Sequence, residues 1–240
     1  VQNTFSDATE HVQQRFAAAA INTDPFPTIT IDNIFPDRLY QQILENKIAD
    51  DCLQTLYELR RVPSDVYRDR KVKALAPKMF DLSNSQRQFW EPFGLWMATY
   101  FKQTVLEKFA DLIVKRFADT VPKIQAETLY TRDRSGYKLG PHTDSTSKVI
   151  TLLIYLPRDA ANPGLGTSIY QHRDPGFTCA GGPHYQVQDF HKIATAEYVP
   201  NRLFGFFKTN NSFHGVEPLG GDLTRDLLIY DLQVKPTGVS

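Results

Sequence analysis

Along the first 120 residues the apolar positions recur mostly at helical steps. Ser6 followed by Ala8-Thr9-Glu10 is a capped start and predicts a helix running to Ala20, before Pro25 and Pro27 break it. Thr28-Ile29-Thr30-Ile31 alternates polar and β-branched residues and predicts a short strand. Pro36-Asp37 then opens a helix through Leu39, Ile43 and Leu44. The strongest pattern lies between Phe89 and Phe117. Phe93, Trp96, Met97, Tyr100, Phe101, Val105, Phe109, Leu112, Ile113 and Phe117 follow steps of three and four, with Lys102, Gln103, Glu107, Lys108 and Lys115 opposite. That is an amphipathic helix whose wide apolar face is expected to pack on a sheet.

From residue 121 the period falls towards two. Thr128 to Thr131, Val149 to Leu156, Thr167 to Tyr170, Arg202 to Phe207 and Leu227 to Val234 are the strand candidates, separated by Gly, Pro, Asn and Asp clusters. Short strands with turn chemistry between them suggest a sandwich or barrel. Helices first and strands afterwards predict an α+β domain spanning 1–240, with mainly helical support over 1–120 and a β core over 121–235.

Composition narrows the function classes. Lys+Arg and Asp+Glu are both 27, so the formal net charge is zero and the basic signature of a nucleic-acid or anionic-membrane binder is missing. The longest apolar run, Val149 to Leu156, is too short to span a bilayer. Cys52 and Cys179 are too few for a disulfide framework or a four-cysteine zinc site and fit a reducing compartment. No signal peptide is visible at the N-terminus, and a cytoplasmic location is expected.

Three short segments carry chemistry. In Gly140-Pro141-His142-Thr143-Asp144 the imidazole and the carboxylate are two apart, and on an extended segment they share a face. A loop histidine beside a capping aspartate has the same pattern. His214 follows the apolar strand Leu203 to Phe207 and precedes Gly215, as a partly buried strand-end histidine also would. Together, two histidines and one carboxylate can form the facial triad of non-haem Fe(II) oxygenases, which leaves open positions on the metal. Arg225, eleven residues after His214, opens the strand Leu227 to Tyr230. Its fork suits a carboxylate of a dicarboxylate cosubstrate, or an ion pair with Asp222 or Asp226.

The ordered set His142, Asp144, His214, Arg225 resembles the Fe(II)/2-oxoglutarate-dependent oxygenase superfamily, most closely its prolyl-4-hydroxylase-like branch. The resemblance covers residues 121 to 235, with an echo in Thr28 to Leu44. It implies a double-stranded β-helix (jelly-roll) core buttressed by the N-terminal helices. It makes His142, Asp144 and His214 the iron ligands and places Arg225 on the C5 carboxylate of 2-oxoglutarate. Thr151 and Tyr155, four apart on one strand, look like the family residues lining the cosubstrate pocket, with Tyr155 on the same carboxylate as Arg225 and Tyr130 a further candidate. The resemblance also implies O2 as oxidant and succinate and CO2 as co-products. Two departures stand out. Many relatives carry Ser two residues after the Arg, where this chain has Leu227. Asp144 is retained where halide-transferring relatives have a small residue, which favours hydroxylation or desaturation.

The stretch from Pro157 to Asn201 reads as a long loop with glycine-rich hinges at Gly164-Leu165-Gly166 and Gly181-Gly182, fit to close over a substrate. Its histidines, His172, His184 and His191, have no ligand-like spacing and read as exposed loop residues. A small-molecule substrate, such as an amino acid or natural-product intermediate, is expected, with a prolyl side chain of a protein as the alternative. More remote are a zinc hydrolase, for which Glu217 is the only nearby acid to serve as base, and a non-catalytic jelly-roll binding module.

Overall fold

A computed structural model describes residues 2–76, 78–118 and 120–235. The helices are α1 (Gln2–Ala18), α2 (Asp37–Glu45), α3 (Asn84–Trp96), α4 (Lys102–Lys108) and α5 (Ala110–Phe117). The strands are β1 (Thr28–Ile31), β2 (Gln54–Thr55), β3 (Arg70–Ala74), β4 (Ile124–Asp133), β5 (Leu139–His142), β6 (Lys148–Tyr155), β7 (Thr167–His172), β8 (Phe190–Ala196), β9 (Leu203–Phe207), β10 (His214–Val216) and β11 (Arg225–Val234). The result is a mixed helix-and-sheet protein with two antiparallel sheets. The large one runs β1-β9-β6-β11-β4-β3-β2 and the small one β5-β10-β7-β8.

Several sequence expectations change in detail. Helix α1 is already running at Ser6, and Thr9 folds its hydroxyl back onto the Phe5 carbonyl at 2.7 Å, a bond that belongs inside a helix rather than at its cap. The single helix expected over Phe89 to Phe117 is three. Ser83 caps α3 by accepting from the Gln86 N–H, a π-turn at Met97–Phe101 follows, and Phe109 leaves helical geometry at φ −104° and ψ 14°. Besides the expected β1, the first 120 residues supply β2 and β3, and these three strands extend the large sheet at both edges. The charged run Arg70-Lys71-Val72-Lys73-Ala74 hid β3. The supposed loop after Pro157 contains, besides the expected strand from Thr167, which is β7, the further strand β8 that pairs antiparallel with it in the small sheet. Cys52 and Cys179 are free thiols. No helix among the described residues is long and apolar enough to cross a membrane.

The two faces of the large sheet differ sharply. On β11, Leu228, Tyr230 and Leu232 point outward into an apolar core shared with Phe16 of α1, Ile43 of α2, Trp90 and Phe93 of α3, and Phe101. Arg225, Leu227, Ile229 and Asp231 alternate with them and point inward, towards the small sheet. Ile169 of β7 meets Leu153, Tyr155 and Phe206 in this second core. The inner face is therefore roofed by β5, β10 and β7, and the chemistry collects in the space between.

Candidate metal centre

Pairing within the small sheet builds the first half of the site. β10 lies antiparallel to β5 in a register that sets His214 directly opposite His142. Their ring centroids are 4.3 Å apart. Asp144 follows β5 by two residues, and its Oδ1 lies 3.9 Å from His214 Nε2. One ligand atom each from His142, Asp144 and His214 falls within 4.8 Å of the others. This is the spacing of three donors around one ion rather than of a hydrogen-bonded chain.

The protonation states suit a metal. His142 Nδ1 lies 3.0 Å from the Gly140 carbonyl and His214 Nδ1 lies 3.1 Å from the Ser212 carbonyl. A carbonyl only accepts, so each Nδ1 carries the hydrogen and each Nε2 keeps its lone pair. Burial, with His214 beside it, pulls His142 down to about 3, and burial lowers His214 as well. Both rings are thus neutral at neutral pH, as metal ligation requires. Burial is the largest single influence on the Asp144 carboxyl and would raise it, but the Lys148 ammonium, the two neighbouring imidazoles and the Thr151 hydrogen bond together hold the group well below the usual carboxylate range. The donor set is two neutral imidazoles and one carboxylate, the set that fits Fe(II) with positions to spare.

The segment after β7 packs hard against this strand. The Thr143 hydroxyl donates to the Cys179 carbonyl at 2.9 Å, and the Tyr185 N–H donates to the Pro141 carbonyl at 2.8 Å. Gly181, at φ +139°, sits where a Cβ would come within 2.3 Å of the Asp144 carbonyl oxygen. Here glycine serves close approach to a ligand strand, in place of the hinge suggested by sequence. The packing also brings in a residue that spacing missed: the His184 ring lies 4.5 Å from His142, and its Nε2 is 3.3 Å from the Tyr67 hydroxyl. His184 stays exposed. His172 and His191 are far along the β7–β8 hairpin, where they pair with Phe177 and Arg173.

Arg225 lies on the inner face, 1% exposed. It donates to the Leu165 carbonyl at 3.0 Å, and its Nε is 3.4 Å from Asp133 Oδ2 but too poorly aligned to bond, so that N–H is left without a partner. Asp133 is instead gripped by Arg70 through bonds of 2.6 and 2.9 Å. Neither Asp222 nor Asp226 takes Arg225. Two guanidiniums against one carboxylate leave one positive charge, with the buried Tyr137 hydroxyl also unpartnered nearby. A region with one spare charge and two orphaned donors fits one carboxylate of a diacid.

Tyr155 shares the inner face, its ring 5.9 Å from the Arg225 guanidinium carbon, but its hydroxyl donates to Thr167 Oγ1 at 3.0 Å. Thr151 is on the same face and donates to Asp144 Oδ2 at 2.6 Å. Tyr130 is not brought to this group. It points outward, against Trp90 at 5.7 Å, because it sits one residue off the inward register of β4. A groove of about 860 Å³, lined by Tyr67, Arg68, Tyr137, His184, Tyr185 and Val187, reaches the His142 strand at Gly140.

No family model matches this sequence, and no curated protein matches it. The fold does match solved structures. A prolyl-4-hydroxylase from Pseudomonas putida is similar at TM-score 0.54 and 14% identity, covering 94% of this chain and 98% of that one. A prolyl hydroxylase from Trichoplax adhaerens, in complex with a peptide fragment of the hypoxia-inducible factor oxygen degradation domain, gives 0.51 at 14% identity, covering 97% and 91%. The dioxygenase for auxin oxidation 1 from Arabidopsis thaliana, in its 2-oxoglutarate binary complex, gives 0.51 at 12% identity, covering 94% and 88%. These likenesses are of fold.

Proposed function

We propose that this chain, whose fold is that of the prolyl-4-hydroxylase type of 2-oxoglutarate oxygenase, is itself a non-haem Fe(II)- and 2-oxoglutarate-dependent oxygenase with a double-stranded β-helix core. The observation that carries the reading is the convergence of His142, Asp144 and His214, each in the protonation state of a ligand. Bound there, the iron with 2-oxoglutarate and O2 supplies oxidative decarboxylation to succinate and CO2, coupled to hydroxylation of an unactivated C–H bond.

The chain's own residues have separable tasks. The two imidazoles and Asp144 hold the metal on one side and leave the other side open. Arg225 receives the far carboxylate of 2-oxoglutarate on its spare N–H donor, and Tyr155 shapes that end of the pocket. Leu153, Phe206, Leu227 and Ile229 wall the space with apolar surface and keep water out. The zinc-hydrolase reading lacks its base: the Glu217 carboxylate is taken by Tyr170 at 2.6 Å and by Lys192 at 3.3 Å.

The substrate proposed is a small metabolite, an amino acid or natural-product intermediate, since the groove is of the size that holds such molecules. Its openness also supports a prolyl peptide as second reading, in line with the peptide complex among the fold neighbours. Anaerobic addition of Fe(II) and then 2-oxoglutarate should produce a weak visible charge-transfer band, and O2 should then release succinate. A protein that takes up Fe(II) yet gives neither band nor succinate is not this enzyme. Succinate release across amino acids, natural-product scaffolds and prolyl peptides separates the substrate classes.

A further inference from the structure

One row of side chains crosses the inner face of the large sheet just behind the metal ligands. The registers align Glu127 of β4, Asp231 of β11, Thr151 of β6 and Phe206 of β9 as successive cross-strand neighbours. Two members of the row touch ligands. Thr151 Oγ1 lies 2.6 Å from Asp144 Oδ2, and the Phe206 ring centroid lies 4.2 Å from that of His214. Behind Thr151, Asp231 Oδ1 is 3.0 Å from the same hydroxyl oxygen, and Asp231 Oδ2 anchors Lys148 at 2.8 Å. Lys148 in turn stands 3.9 Å from the other oxygen of Asp144, Oδ1.

The two oxygens of Asp144 are therefore not equivalent. Oδ2 is occupied by the threonine hydroxyl, whereas Oδ1 faces His214 Nε2 at 3.9 Å. A threonine hydroxyl carries a single proton, and the shorter contact assigns it to Asp144. Thr151 is 4% exposed, so its hydroxyl is shielded from water. An unrestrained carboxylate can turn both oxygens to one ion, which would occupy a position that the chemistry needs open.

We propose that Thr151 is a positioning residue that locks Asp144 into ligation through Oδ1 alone and thereby keeps a coordination position free. This rests on the metal reading above. Ligand orientation by outer partners is commonly worth about 10- to 100-fold in metal affinity or activity.

The test is metal binding by the full chain, without turnover. Mn(II) affinity and the ligand-field spectrum of the Co(II) form are measured for the native protein, Thr151→Val, Thr151→Ser and Asp144→Ala, each checked for folding by circular dichroism. Thr151→Val, equal in shape but lacking the hydroxyl, is expected to bind Mn(II) about 10- to 100-fold more weakly and to give an altered Co(II) spectrum. Thr151→Ser restores most of the affinity and the native spectrum. If native protein binds Mn(II) and Asp144→Ala loses it, while Thr151→Val matches the native affinity and spectrum, the positioning role is overturned and the metal reading stands. A native protein that binds no metal overturns both.

Discussion

Two ion pairs sit side by side where β4 meets β11, and they are built for different ends. Arg225 stands opposite Asp133, and Asp226 opposite Arg132, so the same two charges appear in mirrored order on neighbouring residues. The outward pair is closed. Asp226 accepts from Arg132 at 2.7 and 3.2 Å and from Lys47 at 2.8 Å. The inward pair is open, because Arg70 has taken Asp133 and left Arg225 with an N–H unpaired. Closure on the outside serves stability, and incompleteness on the inside leaves over the charge proposed above to meet the cosubstrate. The difference extends to whole faces: aromatic packing outside, and buried Arg, Asp and Thr inside. Buried polar groups are costly unless partnered, so their concentration on one face of one sheet marks where a partner is expected.

The sharpest way to break this division is to damage the outer face. Phe101 is fully buried, with Tyr230 at 5.0 Å and Phe16 at 5.8 Å in edge contact. Phe101→Ala should cost about 3–5 kcal/mol of stability in denaturant unfolding. The 2-oxoglutarate KM of the remaining folded protein should be unchanged. A shifted KM would mean that the two faces are not independent.

Arg225→Ala examines the inner face, with a smaller expected effect. Asp133 keeps both bonds to Arg70, so no buried carboxylate is stranded and folding should survive. A lost charge-assisted hydrogen bond is worth about 1.5–3 kcal/mol, which corresponds to a rise of roughly 10- to 100-fold in the 2-oxoglutarate KM. Mn(II) affinity without cosubstrate should stay as it was. Loss of metal binding would place Arg225 among the groups that support the metal ligands.

Sequence reached some of this and missed the rest for physical reasons. The ligand candidates were legible because His142, Asp144, His214 and Arg225 are chemically distinctive and occur in an informative order. The β1 strand was legible from strict alternation, and its observed bounds, Thr28–Ile31, match the expectation. Three-residue β10 and charged β3 left no period to read. His184 was invisible because its nearness to His142 is made by the backbone bond from Tyr185 to Pro141, between segments 44 residues apart in number. Thr151 was expected in the cosubstrate pocket from its place on β6. Its face was legible, but which carboxylate its hydroxyl would meet depended on the fold of the 143–147 turn.

The smallest expected effect tests register itself. Tyr130 lies in the same strand as Thr131 and Asp133, and a slip of one residue would carry its ring from the outer core into the site. In the observed register its hydroxyl accepts one long bond from Arg132 at 3.3 Å, while Arg132 retains Asp226. Tyr130→Phe therefore removes a single weak hydrogen bond and keeps the edge contact with Trp90. The stability loss should be about 0.5–1.5 kcal/mol, and the 2-oxoglutarate KM should equal that of the native protein. A KM raised as far as in Arg225→Ala would require the ring to face inward. The inward positions of β4 would then be the even-numbered ones, Asp133 could no longer lie between Arg70 and Arg225, and the contrast between a closed outer pair and an open inner one would fail at its root.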